Sequence, residues 1–395
     1  MRCKMKIFFI LIGILTLNGV TMAAEKPARV MPANGIDKPL LGQILFFDTA
    51  LSWHGNQNCA TCHNADTVFV DLRDNAAQRM VSLGDDLQSF GTRNTQSMLY
   101  AKYSPEFYYD EKEQQYIGGQ FWDGRAKNLA EQAGQPPLNP VEMGMPSKEA
   151  LAERLWFNPM YRRLFSQHYG EQVWQSVEDI YQAMQDALAV FQQTMPLLAP
   201  FSSKYDKSLR GEYQLTEQEQ RGKALFFDKQ GANCASCHQL QAQQDHPEET
   251  FSNYHYYNLG VPKNPFLLQH NPLGEDFVDL GLFENPQVNG DEAQKGKFKV
   301  PSLRNVAVTA PYMHNGVFRE LKTVLLFLDH YNNSARQINP ETQLPWQAAE
   351  YATTLNYAEL TQARALSDEE IEALLSFLKL LTDERYEYLL QDREK

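Results

Sequence analysis

The sequence predicts a mostly α-helical fold made of two domains related by duplication. Three observations predict it. A Gly-x-x-Leu-Phe-Phe-Asp core occurs twice, as Gly42, Leu45, Phe46, Phe47 and Asp48 and again as Gly222, Leu225, Phe226, Phe227 and Asp228. Each copy precedes a Cys-x-x-Cys-His run, Cys59-Ala-Thr-Cys62-His63 and Cys234-Ala-Ser-Cys237-His238. Helical periodicity and helix-start signals dominate the remaining chain.

The elements follow in chain order. Residues 1–24 read as an export signal, with Arg2, Lys4 and Lys6 ahead of an apolar run from Ile7 to Leu17 and small residues at Ala23 and Ala24 for cleavage. The run is shorter than the ~20 residues a membrane span needs; an uncleaved anchor is the alternative reading. The mature protein is expected in the bacterial periplasm, with no membrane span after the signal is removed. Residues 25–200 and 201–395 are expected to be the two domains. The repeated segment reads as one short amphipathic helix used twice. Ile180, Met184, Ala187, Leu188 and Phe191 fall on one helix face, so Met184 belongs to a core stripe. Pro196, Pro200 and Ser202-Ser203 mark a connection over 196–210. Thr216-Glu-Gln-Glu219 and Ser367-Asp-Glu-Glu370 have the form of capping boxes that open helices. The stretch 240–300, rich in Pro, Gly and Asn, reads as long connecting loops.

Composition narrows the class. The 395 residues carry 36 basic and 49 acidic side chains, a net charge of −13. A nucleic-acid binder needs clustered Lys and Arg to displace counterions, so that class is excluded. With 43% hydrophobic residues, disorder over most of the length is excluded too.

Of the five cysteines, Cys3 lies in the export signal and the other four all lie in the two Cys-x-x-Cys-His runs. Chance would supply about 0.0014 such runs from this composition. The spacing suits covalent haem attachment: two thiols add to the two vinyl groups of one porphyrin, and the adjacent His ligates the iron. A zinc ribbon would join its Cys pairs over roughly 15–20 residues, far less than separates these runs. Disulfides within Cys-x-x-Cys would not call for a following His, and no βαβ setting for a thioredoxin-like centre is present. Two covalently bound haem c groups are expected, held by Cys59, Cys62 and His63 and by Cys234, Cys237 and His238.

On these runs and several further motifs the chain resembles the bacterial di-haem cytochrome c peroxidases, within them the MauG-like branch. The motifs are Leu-Phe-Phe-Asp before each haem run, Phe121-Trp-Asp-Gly-Arg125, Glu131-Gln-Ala133 and Asn139-Pro-Val-Glu-Met143. Val300-Pro-Ser-Leu-Arg-Asn305 and Thr309-Ala-Pro-Tyr-Met-His-Asn-Gly316 complete the set. The resemblance implies two mostly helical cytochrome c-type domains, the N-terminal haem being peroxidatic and the C-terminal haem serving electron transfer. It implies that Glu142 moves a proton between peroxide oxygens, with Gln132 as the neighbouring distal amide and Trp122 lying between the haems. It implies a calcium ion held by Asn94, Thr309 and Pro311. The partners implied are hydrogen peroxide and a redox partner: a small cytochrome, a cupredoxin or a protein substrate to be oxidised. A non-enzymatic di-haem electron carrier is the alternative.

Two departures from the family pattern carry expectations of their own. Many members cap the first iron with a His after the first haem run; here Val81-Ser-Leu-Gly84-Asp-Asp-Leu87 occupies that stretch, and no His occurs between His63 and His168. An open, five-coordinate first haem is expected, with a packed Met80 preferred over a ligating one. At the second haem, the position of the family's distal Met or Tyr is Leu328, which cannot bind iron. Tyr331, one turn further, is the expected ligand, with His330 or no ligand as alternatives, and His314 is expected to support rather than ligate. Ala232, two residues before Cys234, stands where a surface Trp would aid long-range hole transfer.

Overall fold

The repeated segment closes two helices, Lys38–Phe46 and Glu217–Phe227, and in each the glycine is the point of contact with a long partner helix. A methyl group on Gly42 would sit 1.9 Å from the Ala187 carbonyl oxygen in helix Val177–Thr194. One on Gly222 would sit 1.9 Å from the Ala373 carbonyl oxygen in helix Asp368–Leu380. Only a residue without Cβ lets two helix backbones cross this closely. The following aromatic repeats the match: Phe46 packs on Phe191 with ring centroids 5.3 Å apart, and Phe226 on Phe377 at 5.0 Å. One helix crossing is thus built twice from one sequence pattern.

The computed structural model describes residues 35–391 apart from 242, 243, 272 and 275. The expected export segment 1–24 lies outside the described residues. From Asp37 onward the chain forms one compact unit. The described residues are mostly helical, with three two-stranded antiparallel ladders among them: Tyr108–Asp110 with Gln115–Ile117, Tyr256–Tyr257 with Phe298–Lys299, and Ile338–Asn339 with Leu344–Pro345. In the second ladder Tyr256 stands opposite Lys299 and Tyr257 opposite Phe298.

Local signals act as the sequence predicts. Ser176 caps helix 177–194, and Ile180, Met184, Ala187, Leu188 and Phe191 are all buried on its inner face. Thr216 and Ser367 open their helices with full capping boxes. Ser367→Ala removes the hydroxyl that accepts the Glu370 backbone N–H at 3.3 Å, and should cost about 1 kcal/mol, read as a urea midpoint shift at constant m. The partner carboxyl of Glu370 is held down to about 2 by Arg364, whose guanidinium lies 2.6 Å away. Its contribution is therefore full above 4.5, the ordinary value, and fades as pH falls toward 2.

The 196–210 connection is more deeply embedded than its Pro and Ser content suggests. It folds into a 3-10 turn, Pro196–Leu198, and a helix, Lys204–Leu209. Buried Asp383 accepts from the Tyr100 hydroxyl at 2.9 Å, the Ser202 N–H at 3.0 Å and the Asn305 side-chain amide at 2.7 Å. Arg304 is fully buried, pairs with Asp206 at 2.7 Å, and lies over the rings of Phe201 and Phe251. Between 240 and 300 the described residues are largely turns, as expected, broken by the short helix Pro265–His270 and the ladder strands.

Candidate functional site

Two cavities form, one beside each Cys-x-x-Cys-His run. In the first, Cys59–Cys62 is a single helical turn that begins at Asn58 and ends at His63. The turn places both thiols and the imidazole on the cavity lining. His63 Nδ1 lies 2.9 Å from the Phe69 carbonyl oxygen, so Nδ1 carries the proton and Nε2 is left as a lone-pair donor. Burial lowers the His63 pKa and keeps the ring neutral, as a metal ligand requires. The same burial pushes the Cys59 and Cys62 thiols up to about 12.

The second cavity repeats the device. Cys234–Ser236 is a 3-10 turn, His238 follows it, and His238 Nδ1 lies 2.9 Å from the Phe251 carbonyl oxygen. Burial holds the His238 ring down to about 4 and lifts the Cys234 thiol to about 12. No disulfide joins any of these four cysteines. A half-buried pair of thiols beside an imidazole whose Nδ1 is held by a backbone carbonyl fits a haem at each run on donor chemistry.

Glu142 and Gln132 line the first cavity together with His63, although neither is near it in sequence. Gln132 sits on helix Leu129–Ala133, capped by the Asn128 side chain. Glu142 is held at both backbone and side chain. Its carbonyl accepts from the Asp85 N–H at 2.7 Å and from the Gln57 side chain, and its Oε1 accepts from the Asn139 amide at 2.8 Å. Burial raises the Glu142 pKa, an effect Arg125 and Asn139 partly offset. Arg125 is itself placed by stacking 3.7 Å over Phe121 and by donating to Asp123 and Gln135.

Trp122 lines both cavities, as do Lys299, Val300 and Pro301, so these four residues form the wall between them. The indole N–H donates to the Asn94 carbonyl at 2.9 Å, and the Lys299 N–H donates to the Trp122 carbonyl at 2.8 Å. Asn94 in turn donates its backbone N–H to the His314 carbonyl at 2.7 Å, beside the loop that carries Thr309 and Pro311. Among the described residues no cluster of three acidic, His or Cys side chains could hold a metal. A calcium ion held by Asn94, Thr309 and Pro311 would therefore rest on backbone and amide oxygens.

Among the described residues lining the first cavity, His63 is the one histidine. Met80 does not line it; its sulfur accepts from the buried Asn264 amide at 3.1 Å, and the side chain packs against Gly316. In the second cavity Leu328 lines the wall, and Tyr331 does not. The Tyr331 hydroxyl donates to the Leu259 carbonyl at 3.0 Å. The physical reason is that helix Leu321–Asp329 stops at His330, so a face extrapolated three residues past Leu328 leaves the helix. His330 turns its ring onto Tyr331 and Trp346. His314 does line the second cavity, stacked 3.7 Å on Phe298 and 3.8 Å from Glu350. Sequence reasoning missed Gln57, Asn139, Lys299 and Glu350; Asn139 and Lys299 could have been noticed as members or flanks of the motifs that carry Glu142 and Val300.

Comparison with known proteins agrees with this arrangement. A family model described as di-haem cytochrome c peroxidase matches residues 37–214. The chain is 47% identical to the methylamine utilization protein MauG of Paracoccus denitrificans over 89% of this chain and 90% of that one. It is 30% identical to the cytochrome c551 peroxidase of Nitrosomonas europaea over 96% and 91%. Among solved structures, the diheme peroxidase BthA of Burkholderia thailandensis superposes with a TM-score of 0.76 at 30% identity, covering 89% and 87%. Shared sequence along nearly the whole of both chains, together with two cavities built on one pattern, places this chain in the di-haem cytochrome c peroxidase family, as an oxidoreductase with two haem groups.

Proposed function

We propose that the chain is an exported, periplasmic peroxidase that uses hydrogen peroxide at an open first haem and moves electrons through the second. The observation that carries this reading is the convergence of His63, Glu142 and Gln132 on one cavity that no second His lines among the described residues. The two haems are held covalently, by Cys59 and Cys62 and by Cys234 and Cys237, with His63 and His238 as iron ligands through Nε2. Residues 25–200 and 201–395 are the peroxidatic and electron-transfer domains. A calcium ion at Asn94, Thr309 and Pro311 steadies the segment against which Trp122 is held.

When bound, the haem supplies the iron that takes peroxide and receives its oxidising equivalents. The chain supplies the proton chemistry. Glu142, as the carboxylate, takes a proton from one peroxide oxygen and returns it to the departing one, while the Gln132 amide donates to the oxygens. Asn139 fixes the Glu142 carboxyl at one oxygen and leaves the other free to shuttle. Trp122 offers the aromatic path between cavities. In the second cavity Leu328 lines the position where the family's distal Met or Tyr would stand and would offer an iron no donor atom, while the Tyr331 hydroxyl is given to the Leu259 carbonyl.

The reductant is a redox partner protein. Similarity to a methylamine utilization protein favours a protein substrate, whereas Ala232 in place of a surface indole favours a small cytochrome or cupredoxin. Mixing the oxidised holoprotein with peroxide in a stopped-flow spectrometer tests the core of the reading. A rapid change in the haem spectrum, without prior reduction, is expected; an unchanged spectrum would leave only a di-haem electron carrier.

A further inference from the structure

Lys299 is a buried cation without a carboxylate. It is 6% exposed and stands in the wall between the two cavities. Its amine donates to the Gly119 carbonyl and lies 3.4 Å from the Ser104 hydroxyl, both neutral. No ion pair joins it to an acid among the described residues. The other cations lining the first cavity are differently placed. Arg93 pairs with Asp123, with Asp279 at 2.7 Å and with Glu284 at 2.9 Å, and Arg125 pairs with Asp123 at 2.9 Å. Asp123, the one carboxylate acting on Lys299, is thereby spent on two arginines. Burial accordingly draws Lys299 down to about 7.

A charged group is kept in a dry interior when it is paired. Among the described residues no acid pairs with Lys299, but a haem carries two carboxylates, and the Lys299 amine is tied to Ser104, which lines the first cavity and not the second. We propose that Lys299 is the counter-ion of a propionate of the first haem. This rests on the haem-binding reading above. The ammonium neutralises the carboxylate beside the inter-cavity wall, and so favours the reduced state of that haem. It is a positioning residue; its effect reaches the iron through charge.

The test is a spectroelectrochemical titration of wild type, Lys299→Gln and Lys299→Arg holoproteins, the haems being distinguished by electron paramagnetic resonance. Haem is first counted per chain by pyridine haemochrome in the wild type. Fewer than two would remove the underlying reading and not this inference alone. With two present, the wild type and Lys299→Arg should share a first-haem midpoint potential that varies little around neutral pH. Lys299→Gln should lower it, with a smaller shift at the second haem, and should add a pH dependence as the orphaned carboxylate titrates. Loss of the first haem from Lys299→Gln but not from Lys299→Arg supports the same role. The proposal is overturned by unchanged potentials in Lys299→Gln, by equal haem loss from both variants, or by a wild-type potential that titrates near neutral pH and becomes flat in Lys299→Gln. That last result would mean a neutral amine with no partner.

Discussion

Glu142→Gln slows the spectral response to peroxide by about 10²–10⁴-fold, the span that positioned proton transfer contributes. The substitution keeps the size of the side chain and the oxygen that accepts from Asn139, and removes only the capacity to take and return a proton. The first cavity should therefore keep its haem and its resting spectrum while the reaction slows. Comparable kinetics in the variant would remove the assigned proton shuttle. The pH dependence has a fixed sign. Burial lifts the carboxyl above its ordinary 4.5, and the shuttle starts from the carboxylate, so the rate falls as pH drops through that raised value. The acid limb of the profile should lie above 4.5 and vanish in Glu142→Gln. The same shift means the folded chain holds this proton more tightly than the unfolded one. Its contribution to stability thus declines as pH rises from 4.5 through the folded value.

Gly42→Ala and Gly222→Ala each destabilise the fold by at least the 1–3 kcal/mol typical of overpacking, a larger effect than any surface change here should have. The added methyl meets a backbone carbonyl oxygen, Ala187 or Ala373, at 1.9 Å, and a backbone atom cannot rotate away as a side chain can. Relief requires the two helices to separate, which also loosens Phe46 from Phe191 or Phe226 from Phe377. Urea unfolding of the holoprotein should show a lower midpoint for both variants. A loss under about 1 kcal/mol in either would mean that the crossing is not held by the glycine.

The two Cys-x-x-Cys-His runs were legible because the haem attachment proposed for them is local chemistry. Two thiols and an imidazole act within five consecutive residues, so spacing alone carries the inference for His63 and His238. Helix caps at Thr216 and Ser367 are equally local, and a stripe such as Ile180 to Phe191 needs only the helical period. Glu142 and Gln132 were named from a motif resemblance; periodicity contains nothing that would bring them to His63. Extending the Leu328 face to Tyr331 did not foresee that Tyr331 stands past the helix end and off the cavity lining, because helix length is set by packing at its far end, around Phe327, His330 and Trp346, and no breaker residue in Leu321–Asp329 announces where it stops.

The sequence by itself determined the class of cofactor, the duplicated short helix and the absence of a His after the first haem run, since each is written in contiguous residues or a repeated pattern. Only the tertiary structure decided what stands between the two cavities and which groups there lack a partner. Lys299 looks like any strand lysine in the chain, because burial and pairing are sums over neighbours such as Gly119 and Ser104, 180 and 195 residues away, and a charge becomes unusual only once its surroundings are dry.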